Sequence, residues 1–185
     1  MTESTMRLFI ALDISAEVRR ELRDVQLRLS EHSHAVRWSD PMGMHVTLQF
    51  LGETPTQLVQ PLVAALDAID MPPITLQLDR LGCFPATGSL RVVWVGLDGD
   101  LGGLTALYQA VTTATQALGV PAEQRPFAPH ITLARARPAA TPAELRALRQ
   151  VLPAVIPQPV SWQAQRPILF RSQLTPRGAI YKALN

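Results

Sequence analysis

Cysteine is almost absent from this sequence. Cys83 is the only one in 185 residues, so the chain cannot form an internal disulfide and lacks the paired thiolates of the common zinc sites. This usage is typical of proteins from reducing compartments, and we expect a cytoplasmic protein.

Long apolar runs are also missing. Polar residues interrupt every hydrophobic stretch before it reaches the roughly 18 residues that a membrane-spanning helix needs. The opening segment, MTESTMRLFIALD, has an acidic Glu3 and no basic cluster ahead of its short apolar run, which predicts neither a secretory signal nor an anchor. Hydrophobic residues still make up 47% of the chain, which is enough for the core of a single domain over residues 1–185.

Lysine is nearly absent as well, since 16 of the 17 basic residues are arginine. A genomic preference for arginine codons is the simplest explanation of this bias, but it does not explain how the charges are distributed. Residues 1–100 have a net charge of −5, whereas residues 101–185 have a net charge of +7. This asymmetry favours an anionic partner.

Hydrophobic periodicity predicts a mixture of strands and helices. Strands are predicted at 6–13, 36–38, 44–51, 74–82, 90–97 and 130–136, with more between 160 and 184 around a break at Pro176-Arg177-Gly178. Helices are predicted at 15–31, 54–69, 104–118 and 141–152, where Pro61 either kinks the second helix or marks its true start. The pattern predicts an α+β fold with largely antiparallel sheets and outer helices.

Two of the four histidines occur in the same tetrapeptide pattern, HVTL from His45 and HITL from His130. Composition alone gives such a repeat by chance less than about once in a thousand. Because residues i and i+2 of a strand share a face, each motif places an imidazole beside a threonine hydroxyl, above an apolar base. The copies lie 85 residues apart with similar elements around them, which predicts two related lobes around a central cleft.

Two imidazoles and two hydroxyls in one cleft suit phosphodiester chemistry. One imidazole can take a proton from water while the other gives a proton to a leaving oxygen. The hydroxyls of Thr47 and Thr132 can hold phosphate oxygens. Neither motif contains an acidic residue, and two histidines are too few for a usual metal site, so we expect metal-free chemistry. The residues alone leave open which histidine is the acid.

The sequence resembles the RNA 2′,3′-cyclic phosphodiesterases, also called 2′-5′ RNA ligases, of the two-histidine phosphoesterase superfamily. The resemblance rests on MRLFIALD, on Trp38 ahead of HVTLQFLGE, on RPFAPHITLARAR and on the closing SQLTPRGAIYKAL, and it spans nearly the whole chain. It implies a bilobal α+β fold with both motifs lining a central cleft. It also implies hydrolysis of a terminal 2′,3′-cyclic phosphate to a 2′-phosphate. We expect no cofactor.

The resemblance also implies a role for each motif residue. His45 would be the general acid that protonates the departing 3′ oxygen, and His130 the general base that activates water. Thr47 and Thr132 would bind the phosphate. The family name records a reversible 2′-5′ ligation, which the same groups can catalyse because each proton donor becomes an acceptor in reverse.

Further candidates for contact with a nucleobase or phosphate are Arg135 and Phe9. Strict alternation puts Arg135 on the opposite face of its strand from His130, so contact requires the strand to twist or end there; the resemblance nevertheless favours a substrate role. Phe9 is equally suited to stacking on a base and to packing in the core. Arg125 and Arg137 either steer RNA or lie on a plain surface.

Two alternative functions stay open at this point. One is hydrolysis of a small cyclic nucleotide, such as an ADP-ribose cyclic phosphate. The other is a module that binds RNA or nucleotide without turnover, although the intact histidines and threonines of both motifs argue against it. We expect a monomer that acts on RNA ends or cyclic nucleotides and does not associate with membranes.

Overall fold

The computed structural model describes residues 4–175 and 178–185. Nine strands in these residues form one antiparallel sheet: β1 Thr5–Leu12, β2 Val36–Trp38, β3 Val46–Pro55, β4 Ile74–Phe84, β5 Val92–Gly99, β6 His130–Ala136, β7 Ser161–Ala164, β8 Ile168–Thr175 and β9 Gly178–Ala183. The helices are α1 Ala16–Arg28, α2 Val59–Asp67, α3 Leu101–Ala117 and α4 Pro142–Val151. The predicted α+β class with antiparallel pairing is confirmed, and the strands join in a single continuous sheet.

The two motif strands lie at the centre of the sheet. Its order is β7-β4-β5-β6-β3-β1-β8-β9, and β2 pairs with β6 outside this path. Outward from the central pair, β3 is followed by β1, β8 and β9, and β6 by β5, β4 and β7. The pair meets where Val46 lies opposite Ile131. Residues far apart in sequence thus become neighbours in the middle of the molecule.

Polar caps start three of the helices. Ser15 Oγ accepts a hydrogen bond from the Val18 amide at 3.2 Å, and the Asp100 carboxylate accepts one from Gly103 at 2.7 Å. Thr141 and Glu144 form a reciprocal capping box at the start of α4. The apolar stripes of all four helices join one core cluster with the Val46 and Ile131 face of the sheet. By alternation, the histidines and threonines of the motifs point to the other face.

The predicted helix start at Thr54-Pro55 is wrong. Strand β3 continues to Pro55, with Thr54 opposite Met6 on β1. Gly52, which suggests a strand end, has φ +69° beside a register shift, so it forms a β-bulge within the strand. Helix α2 begins only at Val59. Pro61 therefore lies in its first turn, where a missing amide removes no intrahelical bond, and the alternative start near Pro61 is the better prediction.

The C-terminal strands also match their prediction in outline. Strand β8 ends at Thr175 and β9 begins at Gly178, while Pro176 and Arg177 of the predicted break lie outside the described residues. In the described part of the chain, no helix is both long and apolar enough to cross a membrane.

Candidate active site

The sheet brings both His-x-Thr motifs to one place. Since Val46 pairs with Ile131, the antiparallel register places His45 opposite Thr132 and Thr47 opposite His130. All four side chains are partly buried. Opposed residues on such a face have Cβ atoms about 5 Å apart, and diagonal neighbours such as the two histidines about 7–8 Å. That separation is suited to flanking one small anion.

Both imidazoles are oriented in the same way by the backbone. His45 Nδ1 lies 2.8 Å from the Gly43 carbonyl oxygen, and His130 Nδ1 lies 2.7 Å from the Ala128 carbonyl oxygen. A carbonyl only accepts, so Nδ1 carries the hydrogen in each ring. Nε2 of each neutral ring is therefore a free base that can take up a proton.

Burial shifts both histidines toward their neutral form. Desolvation lowers the pKa of His45 from 6.5 to about 4, against the opposing effect of its hydrogen bond to Gly43. The positive charges of Arg19 and His130 lower this pKa further, while Asp13 raises it. Desolvation also lowers the pKa of His130, with a smaller contribution from Arg135. The electrostatic effect of His130 on His45 is consistent with the closeness that the register predicts.

Aromatic rings enclose His45. The Phe9 ring centroid lies 4.7 Å from that of His45, and the Tyr181 ring meets the imidazole edge-on at 5.1 Å. Phe170 stacks on Phe9 at 5.2 Å. Phe9 is only 1% exposed, so it has no face left for a nucleobase. Of the two roles that the sequence leaves open for Phe9, this structure shows the packing role.

His130 has its own aromatic support. The Phe84 ring meets it edge-on at 5.0 Å, and the Trp94 ring lies 6.3 Å away. Trp94 lies over Gly82, where an added Cβ would overlap the indole. The glycine is therefore needed for the close approach of this ring.

Arg19 on α1 organises the turn that precedes His45. Its guanidinium donates to the Pro41 carbonyl at 2.8 Å and to those of Met42 and Met44 at 3.2 Å. It also pairs with Asp13. The turn held in this way contains Gly43, whose carbonyl orients the imidazole. Arg19 therefore acts on His45 through the backbone.

A β-bulge changes the expected direction of Arg135. Thr132 pairs with Trp94 but Ala134 pairs with Val93, so Leu133 is an extra residue on β6. The extra residue reverses the alternation and returns Arg135 to the face of Thr132 and His130. Its effect on the pKa of His130 agrees with this placement. The strand needs neither to end nor to twist away for Arg135 to face the site.

The other two arginine candidates are engaged elsewhere. Arg125 forms an ion pair with Glu123, with Nε 3.0 Å from the carboxylate. Arg137 Nε donates to the Val36 carbonyl at 2.9 Å. Over residues 4–175 and 178–185, no three side chains of histidine, cysteine, aspartate or glutamate cluster as a metal site would require.

A cavity of about 220 Å³ opens beside His45. It lies between the turn at 41–44 and strands β8 and β9, with Asp13, Asp40, Met42, Ile180 and Tyr181 in its lining. Its walls combine carboxylates with apolar and aromatic surface.

Sequence comparison finds two matches to the same family model along the chain. Residues 12–94 and 95–181 each match the profile of the family described as LigT like Phosphoesterase. The chain belongs to this family. One match contains the motif at His45 and the other the motif at His130, which agrees with the symmetric arrangement of the sheet.

Curated and solved members of the family align over nearly the whole chain. An RNA 2′,3′-cyclic phosphodiesterase of Archaeoglobus fulgidus is 30% identical over 179 residues, covering 97% of this chain and 98% of the relative. Another from Thermotoga maritima is 28% identical over 181 residues, covering 97% and 93%. The crystal structure of E. coli LigT complexed with 3′-AMP has a TM-score of 0.78 at 29% identity, covering 98% of this chain and 96% of that one. The predicted family and enzyme class are confirmed.

Several residues of the LigT-like site are not evident from the sequence. Phe170 and Tyr181 come from the C-terminal strands and pack around Phe9 and His45. Tyr181 lies within the closing segment that resembles the family, and that segment was the only signal for it. Arg19 lies in a helix with an ordinary amphipathic pattern, so nothing local marks its contact with the turn at 41–44.

Proposed function

We propose that this protein is an RNA 2′,3′-cyclic phosphodiesterase that opens the cyclic phosphate to a 2′-phosphate by general acid–base catalysis with two histidines. The observation that carries the proposal is the pair of motifs on the central strands, each with Nδ1 tied to a backbone carbonyl. Family membership and the names of the aligned relatives support the same activity. We interpret residues 1–185 as one domain with two lobes, one motif in each.

The proposed reaction is a single in-line displacement. His130 Nε2 takes a proton from water as the water oxygen attacks phosphorus. The bond from phosphorus to O3′ breaks, and His45 Nε2 gives its proton to O3′. The product carries a 3′-hydroxyl and a 2′-phosphate, and each histidine ends in the protonation state in which the other began. Thr47 and Thr132 donate hydrogen bonds to the non-bridging oxygens.

The low pKa of His45 gives the substrate a part in this scheme. With a pKa of about 4, His45 is neutral in the free protein near pH 7, yet a general acid has to hold a proton. A phosphate anion between the rings raises the pKa of both imidazoles. Substrate binding therefore favours uptake of the proton that His45 later donates.

Ligation follows the same geometry. A 5′-hydroxyl of a second RNA in place of water would attack phosphorus, and the product would be a 2′-5′ linkage. The reverse reaction regenerates the cyclic phosphate, with His45 as base and His130 as acid. Hydrolysis and ligation would therefore differ only in the nucleophile.

Product analysis on an RNA oligonucleotide with a 2′,3′-cyclic phosphate end tests the proposal. We expect a 2′-phosphate as product, unaffected by EDTA. We also expect His45→Ala and His130→Ala to lower turnover by at least about a hundredfold, within the usual range for loss of a general acid or base. His32→Ala, which changes a histidine outside the site, is the matched control. A 3′-phosphate product, or activity lost to EDTA and restored by a divalent ion, would overturn the mechanism.

The same assay separates the alternatives. Turnover of cyclic mononucleotides with none of the oligonucleotide would indicate a small-molecule hydrolase. Binding of RNA without turnover of either substrate would indicate a binding module.

A further inference from the structure

A second basic group lies beside Arg135 on the site face of the sheet. Arg37 of β2 is directly opposite Arg135 of β6 in the antiparallel register, and both side chains are exposed. In residues 4–175 and 178–185, neither guanidinium has a hydrogen bond or an ion pair. The two positive charges therefore face solvent side by side without a neutralising carboxylate.

Such a pair is unfavourable for the fold by itself. Like charges directly opposite each other on neighbouring strands destabilise a sheet. A bound anion removes the repulsion, and the planar forks of two arginines match the oxygens of a phosphate. The pair is thus better suited to an anionic ligand than to a structural role.

The position of the pair defines which phosphate it can reach. Strand β2 occupies the same edge of β6 that β3 occupies near His130. Arg135 is three residues beyond Thr132, which is about 10 Å along a strand. The pair therefore lies past the site of the cyclic phosphate, on the line of the central strands.

Strand β2 is fastened firmly in this place. The Leu133 carbonyl, at the bulge, accepts hydrogen bonds from the Ser39 amide at 2.8 Å and from Gln26 Nε2 at 3.1 Å. Gln26 Nε2 also donates to the Ser39 carbonyl at 2.8 Å. The same contacts that hold the bulge, and hence the direction of Arg135, hold the end of the strand that carries Arg37.

We infer that Arg37, together with Arg135, binds a backbone phosphate of the RNA upstream of its terminal nucleotide, which makes a polymer a better substrate than a cyclic mononucleotide. This inference rests on the proposed function, because it assumes that the cyclic end lies between His45 and His130. It assigns Arg37 to substrate recognition and gives it no part in the chemical step.

Two substrates and two variants test the inference. The substrates are an RNA trinucleotide with a 2′,3′-cyclic phosphate and a 2′,3′-cyclic mononucleotide, which has no upstream phosphate. The variants are Arg37→Gln and, as matched control, Arg23→Gln, which removes an exposed arginine of α1 on the helical side of the sheet. In parallel, fluorescence anisotropy measures binding of a labelled trinucleotide that ends in a 2′-phosphate and is not turned over.

Arg37→Gln should lower kcat/KM for the trinucleotide about tenfold, as expected for loss of one charge-assisted contact. It should weaken binding of the labelled product to a similar extent and reduce the slope of log affinity against log salt by about 0.7. Turnover of the mononucleotide should change less than about twofold, and Arg23→Gln should behave as wild type. Equal losses on both substrates, or no loss on the trinucleotide, would overturn the inference.

Failure of the proposed function gives a different result. If wild type turns over neither substrate, the enzymatic proposal is wrong. The anisotropy series then decides the inference on its own: weaker binding in Arg37→Gln supports the phosphate contact, and unchanged binding refutes it.

Discussion

Protonation of His45 should make the protein unstable in acid by an amount that the structure lets us calculate. The pKa of this histidine is 6.5 without the fold and about 4 within it, chiefly because burial disfavours the charged ring. Between these values the unfolded chain binds more protons than the folded one, so the free energy of unfolding rises with pH. The stabilisation is complete above about pH 6.5 and is lost as pH falls toward 4. At 1.36 kcal/mol per pKa unit, the loss between pH 7.5 and pH 4 is about 3 kcal/mol.

The assay compares wild type with His45→Gln, which is neutral throughout this range. Urea unfolding followed by tryptophan fluorescence at pH 7.5, 6, 5 and 4 gives the free energy of unfolding of each protein. Contributions from other titrating groups largely cancel between the two proteins, so wild type should lose about 3 kcal/mol more than the variant. His32→Gln controls for the loss of a histidine elsewhere. If the free energies of unfolding of wild type and His45→Gln change with pH in parallel, the claim that burial keeps His45 neutral is refuted.

Three further predictions concern activity and packing. First, kcat/KM should fall above about pH 6.5, because both histidines have pKa values below 6.5 in the free protein and the proposed reaction needs one of them charged. A kcat/KM that rises through pH 8 would contradict this. Second, Phe9→Ala should cost about 3–5 kcal/mol in urea unfolding and Phe9→Leu less, since Phe9 is fully buried; a loss below about 1 kcal/mol would place the ring outside the core. Third, Gly82→Ala should destabilise the fold by about 1–3 kcal/mol and lower kcat/KM by displacing Trp94 beside His130. Wild-type kinetics in this variant would show that the position of Trp94 does not affect turnover.

Local spacing is enough to predict how each motif presents its side chains. An imidazole and a hydroxyl two residues apart on a strand share a face whatever the rest of the fold does. The repeat of the motif at His45 and His130 also indicated two matching halves. That the two strands are direct neighbours, with Val46 opposite Ile131, depends on long-range pairing for which the local pattern carries no information.

Two β-bulges explain where the sequence pattern alone gives a wrong strand end or the wrong face for a side chain. At Gly52 a positive φ marks an irregularity inside β3, and the same residue type ends strands elsewhere. At Leu133 one extra residue turns Arg135 back to the face of His130. Periodicity assumes an unbroken ladder, so a single inserted residue reverses each prediction beyond it.

The burial of Phe9 has a different origin. Alternation correctly places Phe9 on the face that carries His45, but it does not show what covers that face. Phe170 and Tyr181, from the far end of the chain, close over the ring. Burial by distant segments is a property of the assembled fold, so the sequence around residue 9 cannot predict it.

The orienting groups of both imidazoles are main-chain carbonyls, at Gly43 and Ala128. Replacing a side chain does not delete such a group, so exposed positions such as Met42 can change while the chain keeps its path. Gly43 and Met44 are more restricted, because a Cβ at Gly43 would lie 3.3 Å from the Tyr181 ring and Met44 is buried in the core. Insertion or removal of a single residue just before either histidine would instead shift the acceptor and leave the ring without its anchor. The proposed catalytic geometry therefore constrains the length of these two loops, and engineering of substrate preference can begin by substituting their exposed residues at fixed length.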